Sequence, residues 1–175
     1  MEFDPDCTRC PLSRDRTNVV PPDGDRRSPV ALVGEAPGRM EDLQARPFVG
    51  RAGNMLDRML EEGEVSRESV LITNTVKCRP PDNRVPRAEE RRACFPYLEQ
   101  ELEGKSLVVT LGRTASSNIL GKGINLSRDA NVKVQAKVNH LELVVMPTYH
   151  PAACLFNLTA REGLREAIGI IKKEL

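Results

Sequence analysis

Val30-Ala-Leu-Val-Gly-Glu-Ala-Pro-Gly38 is an apolar run that stops on a turn bracketed by two glycines. Residues 30–33 are short, unbroken and valine-rich, the pattern of a strand covered on both faces in a parallel sheet. Three other segments share that pattern and end in turn residues: Val70-Leu-Ile-Thr73, Leu107-Val-Val-Thr-Leu111 and Leu141-Glu-Leu-Val-Val-Met146. Between the first two, Met55, Leu56, Met59 and Leu60 recur at helical spacing, and Gly63 is the expected stop. Between the second and third, Ala93, Tyr97, Leu98 and Leu102 make a rougher stripe that Pro96 is expected to kink. Residues 114–120 suit a short helix. A last helix is expected from Thr159, with Glu162 completing a capping box and Leu164, Ile168, Ile171 and Leu175 buried. Val132, Val134, Ala136 and Val138 alternate with polar residues as an edge strand, which Asn139-His140 turns back into the fourth buried strand. The alternation implies one three-layer α/β/α domain over residues 1–175, built on a four-stranded parallel sheet.

Open parallel sheets bind ligands at the carboxyl ends of their strands. Three polar motifs fall there: Gly34-Glu-Ala-Pro-Gly38, Asn74-Thr-Val-Lys77 and Thr148-Tyr-His150. They suggest one assembled site.

Composition narrows the class. With 175 residues, 39% hydrophobic and 29% charged, the chain can bury a core and is neither a disordered polymer nor a membrane protein. The acidic start, Met1-Glu-Phe-Asp-Pro-Asp, lacks the apolar core of a secretory signal, so a cytoplasmic protein is expected. With 26 basic and 25 acidic residues, net +1, it is no globally basic nucleic-acid wrapper, although a local basic patch is compatible. Aromatics are only 3%, so Phe48 in a functional loop stands out.

Gly34-Glu35-Ala36-Pro37-Gly38 matches neither dinucleotide-binding nor phosphate-loop patterns, and alone it is a tight turn. Its sequel adds weight: Glu41-Asp42, then Arg46-Pro-Phe-Val-Gly-Arg-Ala-Gly53, two carboxyl groups and a phenyl ring in one glycine-punctuated loop. Such a ring either lids the core or stacks on a nucleobase. Asn74 is either a turn residue or an amide whose donor and acceptor match a base edge. His150 precedes Pro151, which holds its backbone extended. Arg79-Pro-Pro-Asp-Asn-Arg-Val-Pro-Arg87 is rigid and basic: either a solvated surface loop or, with Arg84 and Arg87 continued by Arg91 and Arg92, a holder of backbone phosphates.

The five cysteines are more suited to metal than to disulfides in a reducing compartment. Cys7 and Cys10 form a C-x2-C step, whereas Cys78 and Cys94 are separated by 15 intervening residues. This spacing supports a four-thiolate structural site without naming the metal, and leans away from zinc ribbons toward iron–sulfur. Cys154 is most simply a small buried or half-buried residue.

Together these motifs resemble the family 4 uracil-DNA glycosylases, from Cys7-Thr-Arg-Cys10 through Thr73-Asn-Thr-Val-Lys-Cys-Arg-Pro-Pro81 to His150-Pro-Ala-Ala153. The resemblance implies a parallel sheet between helices and a [4Fe–4S] cluster on Cys7, Cys10, Cys78 and Cys94. It implies a uracil pocket lined by Glu35, Ala36 and Pro37, with Phe48 stacking on the flipped base and Asn74 reading its edge. Glu41 and Asn83 would support catalysis, with Glu35 as the alternative carboxylate, and His150 would donate a hydrogen bond to departing uracil. The partner would be uracil-containing DNA, single- or double-stranded, bound by a monomer. After His-Pro-Ala the chain carries Ala153-Cys154 where relatives are bulkier, which makes Leu155 the expected wedge. The region Gly121-Lys-Gly-Ile-Asn-Leu-Ser-Arg-Asp129 lacks the histidine of a sister family that traps DNA covalently, so no covalent trapping is expected. The alternative is a non-catalytic iron–sulfur DNA-binding module, which has no need of Phe48, Asn74 and His150 at one sheet edge.

Overall fold

The computed structural model describes residues 3–175; Met1 and Glu2, the start of the acidic N-terminus, lie outside the described residues. Its strands are β1 (Asp23–Gly24), β2 (Val30–Gly34), β3 (Leu71–Asn74), β4 (Leu107–Leu111), β5 (Val134–Val138) and β6 (Leu141–Thr148). They form one sheet in the order β1-β3-β2-β4-β6-β5. The sheet is therefore six-stranded and mixed, which corrects the expected four-stranded parallel sheet. β3, β2, β4 and β6 are parallel neighbours, with Gly34 beside Asn74 in the register. β1 and β5 add antiparallel strands at the two edges. Two residues carry no periodicity, so β1 leaves no trace in the sequence. It forms because Gly24, at φ 83°, lies so close to Val70 that a Cβ would stand 2.0 Å from its carbonyl oxygen.

Alternate strand residues face opposite layers. Val30, Leu32, Ile72 and Val109 pack with α2 (Arg51–Glu62) and α6 (Leu158–Glu174) on one side. Ala31, Val33, Leu71 and Val108 pack with α3 (Ala88–Leu102) and α4 (Arg113–Leu120) on the other. α2 ends at Gly63, where a side chain would meet Ile168 of α6 at 2.4 Å.

α3 continues through Pro96 without a break. The last helix needs correcting. α6 starts at Leu158 and not at Thr159, because the Asn157 side chain accepts from the Ala160 N–H at 3.1 Å and caps it. Leu175, expected to be buried, is 49% exposed beyond the last turn. Short helices α1 (Arg39–Gln44) and α5 (Leu126–Asp129) complete the set. No helix among the described residues is long and apolar enough to cross a membrane.

Candidate active site

A cavity of about 500 Å³ opens at the carboxyl ends of β2 and β3. Glu35, Ala36, Pro37, Glu41, Phe48, Asn74, Asn83 and His150 all line it. No lysine is among its lining residues.

Glu41 and Asp42, read as loop residues, sit on α1 and point to different tasks. The Glu41 carboxylate accepts from the N–H groups of Val49 and Gly50, at 3.1 and 3.0 Å. It thereby fixes the turn that carries Phe48. Asp42 is buried and accepts from the N–H groups of Thr17 and Asn18, tying the N-terminal segment to α1.

Phe48 has φ 52°, a conformation that costs a bulky residue of order 1–3 kcal/mol and persists only where its surroundings impose it. Here they do. Arg67 donates to the carbonyls of Phe48 and Pro47, at 3.0 and 2.6 Å, while ion-paired to Asp23 and Asp57. Gly53 backs the same turn, leaving no room for a Cβ 2.0 Å from the Phe48 carbonyl. Arg67 escaped the sequence reading because its partners are distant in the chain; no local signal marks it.

The Phe48 ring and the Asn74 side chain both lie down on Gly34. A Cβ there would stand 2.4 Å from Asn74 Oδ1 and 2.5 Å from Phe48 Cζ. Across the cavity, the His150 ring lies 5.9 Å from that of Phe48. His150 Nδ1 accepts from the Ala152 N–H at 3.0 Å, so the neutral ring carries its proton on Nε2. Burial pushes the His150 pKa below its ordinary value, with the Glu41 charge opposing, so the ring is neutral at pH 7. Burial raises the Glu35 carboxyl, against a hydrogen bond from Thr114 and the charge of Arg91.

The basic loop is more committed than its sequence suggests. Asp82 and Asn83 both have φ 54°, and Asn83 Oδ1 accepts from Arg79 Nε at 2.7 Å. Arg84 forks onto the fully buried Glu90, at 2.7 and 2.9 Å, whereas Arg87 is exposed at the start of α3. Past His150, Leu155 is half-buried against the core and Phe156 stands 84% exposed, 6.0 Å from Arg51.

Cys7, Cys10, Cys78 and Cys94 line a second, small cavity between the N-terminal segment and α3. Burial pushes the Cys78 thiol up to about 12 and that of Cys94 up to about 11. Donors nevertheless face the sulfurs: Arg16 Nη1 lies 3.6 Å from Cys78 Sγ, and the Lys77 N–H 3.3 Å from Cys94 Sγ. Among the described residues, no three His, Cys, Asp or Glu side chains are gathered tightly enough for a single ion. Cys154 lies elsewhere, in the core under α6.

Residues 21–168 match the family model of the uracil DNA glycosylase superfamily. The chain belongs to that superfamily. A type-4 uracil-DNA glycosylase of Saccharolobus solfataricus is 41% identical over 177 residues, covering 97% of this chain and 82% of the relative. One of Sulfurisphaera tokodaii is 44% identical over 167 residues, 91% and 76%. A type-5 uracil-DNA glycosylase of Pyrobaculum aerophilum is 34% identical over 171 residues, 85% and 74%. Within the uracil DNA glycosylase superfamily the chain thus sides with the type-4 branch. The whole lining of the main cavity lies inside the superfamily match, whereas Cys7 and Cys10 precede it.

Proposed function

We propose that this chain hydrolyses the N-glycosidic bond of uracil in DNA, releasing the base and leaving an abasic site for repair. The observation that carries this is the convergence of Phe48, Asn74 and His150 on one cavity, in a chain whose relatives are named uracil-DNA glycosylases. A non-catalytic DNA-binding module has no use for that convergence.

A uracil leaves the stack at a cost of a few kcal/mol, lowest when it is mispaired. Phe48 offers its face to the extruded ring, and the turn of Glu35, Ala36 and Pro37 closes around it. The Asn74 amide donates to O4 and accepts from N3–H; cytosine would set like against like. His150 Nε2–H meets the negative charge that grows on the leaving base, as an oxyanion hole does. The sugar becomes cation-like. Glu41, the carboxylate whose charge reaches His150, steadies it, while Glu35 and Asn83 help to hold the attacking water. With no lysine lining the cavity to form a Schiff base, the base is removed without strand cleavage. Arg87 and the loop before α3 take the phosphates of single- or double-stranded DNA, and the chain acts as a monomer.

The test is direct. Purified protein incubated with a uracil-containing oligonucleotide should create alkali-labile sites and free uracil; intact DNA after prolonged incubation at excess protein would refute the activity. Asn74→Asp, which offers acceptors on both sides, should lose most uracil activity, as a site with mismatched buried polar groups loses several kcal/mol. Single-turnover rates on matched oligonucleotides measure it. Full retention would make Asn74 a turn residue.

We place a [4Fe–4S] cluster in the cysteine cavity. Four thiols converge there, donors face two of the sulfurs, and buried thiols with raised pKa values need a strong positive partner to ionise. Cys7, Cys10, Cys78 and Cys94 would hold it, and a four-thiolate cluster would not require three side chains gathered around a single ion. It would tie the N-terminal segment to the loop after β3 and to α3, a structural service. Cys78→Ala should lose the brown colour and melt well below the parent protein, followed by absorbance and thermal unfolding. Colourless parent protein, purified without oxygen and holding stoichiometric zinc, would count against the cluster.

A further inference from the structure

Beneath the main cavity lies a buried charge that the proposed chemistry does not use. Lys77 is 1% exposed, and its Nζ donates to Thr73 Oγ1 at 2.5 Å, to the Asn74 carbonyl at 2.8 Å and to Glu101 Oε2 at 2.6 Å. Thr73 Oγ1 also donates to Glu101 Oε2, at 2.8 Å. Glu101 comes from α3, so the trio clamps the last two residues of β3 to the helix behind them. Burying an ion pair brings little net stability, because desolvation offsets the attraction. A hydrophobic pair would fill the same space, which leaves geometry as what the ions supply.

Asn74 needs such a clamp. Among the described residues no group hydrogen-bonds its side chain, and the residue lines the cavity. Its Oδ1 lies against Gly34, where a Cβ would stand 2.4 Å away. An amide that must present NH₂ to one atom and C=O to its neighbour tolerates little displacement of its main chain.

We infer that Lys77, held by Glu101 and Thr73, is a positioning residue that fixes the Asn74 main chain and thereby sets how well the cavity holds uracil. The inference rests on Asn74 reading the base. Two quantities should respond, inhibition by free uracil and the single-turnover rate at saturating DNA; binding of an abasic oligonucleotide, which carries no base for Asn74 to read, should not.

Lys77→Met alone leaves Glu101 buried and unpaired, and is expected to lower the melting temperature as well as activity. The informative variant is Lys77→Met with Glu101→Gln, which removes both charges at nearly constant shape. It should melt near the parent protein and keep its visible absorbance. It should also excise uracil roughly tenfold more slowly, bind free uracil roughly tenfold more weakly and bind abasic DNA unchanged. Thr73→Val, which deletes no charge and preserves the strand, should shift rate and uracil inhibition in the same direction by a smaller factor. Should the double variant fail to fold, Thr73→Val carries the test alone.

Adding Asn74→Ala separates the two readings. If Lys77 acts through Asn74, the combined variant is no slower than Asn74→Ala by itself. Fully additive losses would overturn the inference, as would a well-folded double variant, or a Thr73→Val variant, with parental rate and uracil affinity. Parental uracil binding in Asn74→Ala would instead overturn the reading of Asn74, whatever the Lys77 variants do.

Discussion

His150→Ala should slow single-turnover uracil excision by about a hundredfold or more, the scale of losing one donor aimed at developing negative charge. Its affinity for undamaged DNA should hardly change, because phosphate contacts carry that affinity. The main chain of Ala152 occupies Nδ1, which leaves Nε2–H as the donor free for the cavity. Acid offers a second approach to the same residue. Protonating the ring would press an N–H against the Ala152 N–H, so excision depends on the neutral form. Burial lowers the His150 pKa, so the rate should stay level as pH falls through the ordinary histidine range near 6.5 and drop only below it. Glu41 opposes that shift, and Glu41→Gln should move the acid limb to still lower pH. A rate–pH profile of parent and variant measures both. Near-parental rates in His150→Ala would leave the histidine only the task of holding the turn after β6.

Gly34→Ala should be as damaging, through a residue with no side chain at all. A Cβ would stand 2.4 Å from Asn74 Oδ1 and 2.5 Å from Phe48 Cζ, both shorter than any real contact. Phe48 cannot retreat easily, because Arg67 and Gly53 hold its main chain in the left-handed region. Both walls of the cavity therefore shift together. We expect a loss of roughly a hundredfold in excision, since displacements of about 1 Å have that effect. Stability should fall by only about 1–3 kcal/mol, the usual cost of overpacking. Thermal unfolding beside single-turnover rates separates the two effects. A variant that excises uracil within twofold of the parent would show the cavity to be softer than its contacts imply.

What was legible in the chain, and what was not, follows the range of the forces involved. The strands that became β2, β3, β4 and β6 announce themselves because strands buried on both faces must be apolar throughout. β5 shows its single buried face by alternation, and Asn139, at φ 52°, makes the predicted turn. β1 was invisible because its two residues pair only where the rest of the sheet already stands. The start of α6 was misplaced because two capping signals compete within three residues, and Asn157 outbids Thr159 only in three dimensions. In the site, the co-location was legible: all eight residues that the sequence suggests for catalysis or base contact line one cavity. Those that hold them in place were not. Arg67 reaches back 44 residues to Asp23, and Lys77 reaches forward 24 to Glu101. Lys77 even sits within the recognised Thr73–Pro81 motif, yet nothing in that motif tells a buried lysine from a solvated one.

The two antiparallel edge strands have a bearing on behaviour at high concentration. A parallel sheet that ended on β3 or β6 would present a long row of open main-chain donors and acceptors, an invitation to join another copy end to end. At one end β1 is only two residues long, and its Asp23 is held by Arg46 and Arg67, so a newcomer finds a charged stub. At the other, β5 carries Lys137 among its exposed positions, a charge that a stacked copy would meet with its own. Two short or charged edges thus keep the sheets of neighbouring copies from fusing into ribbons, and crowding at high concentration should remain reversible.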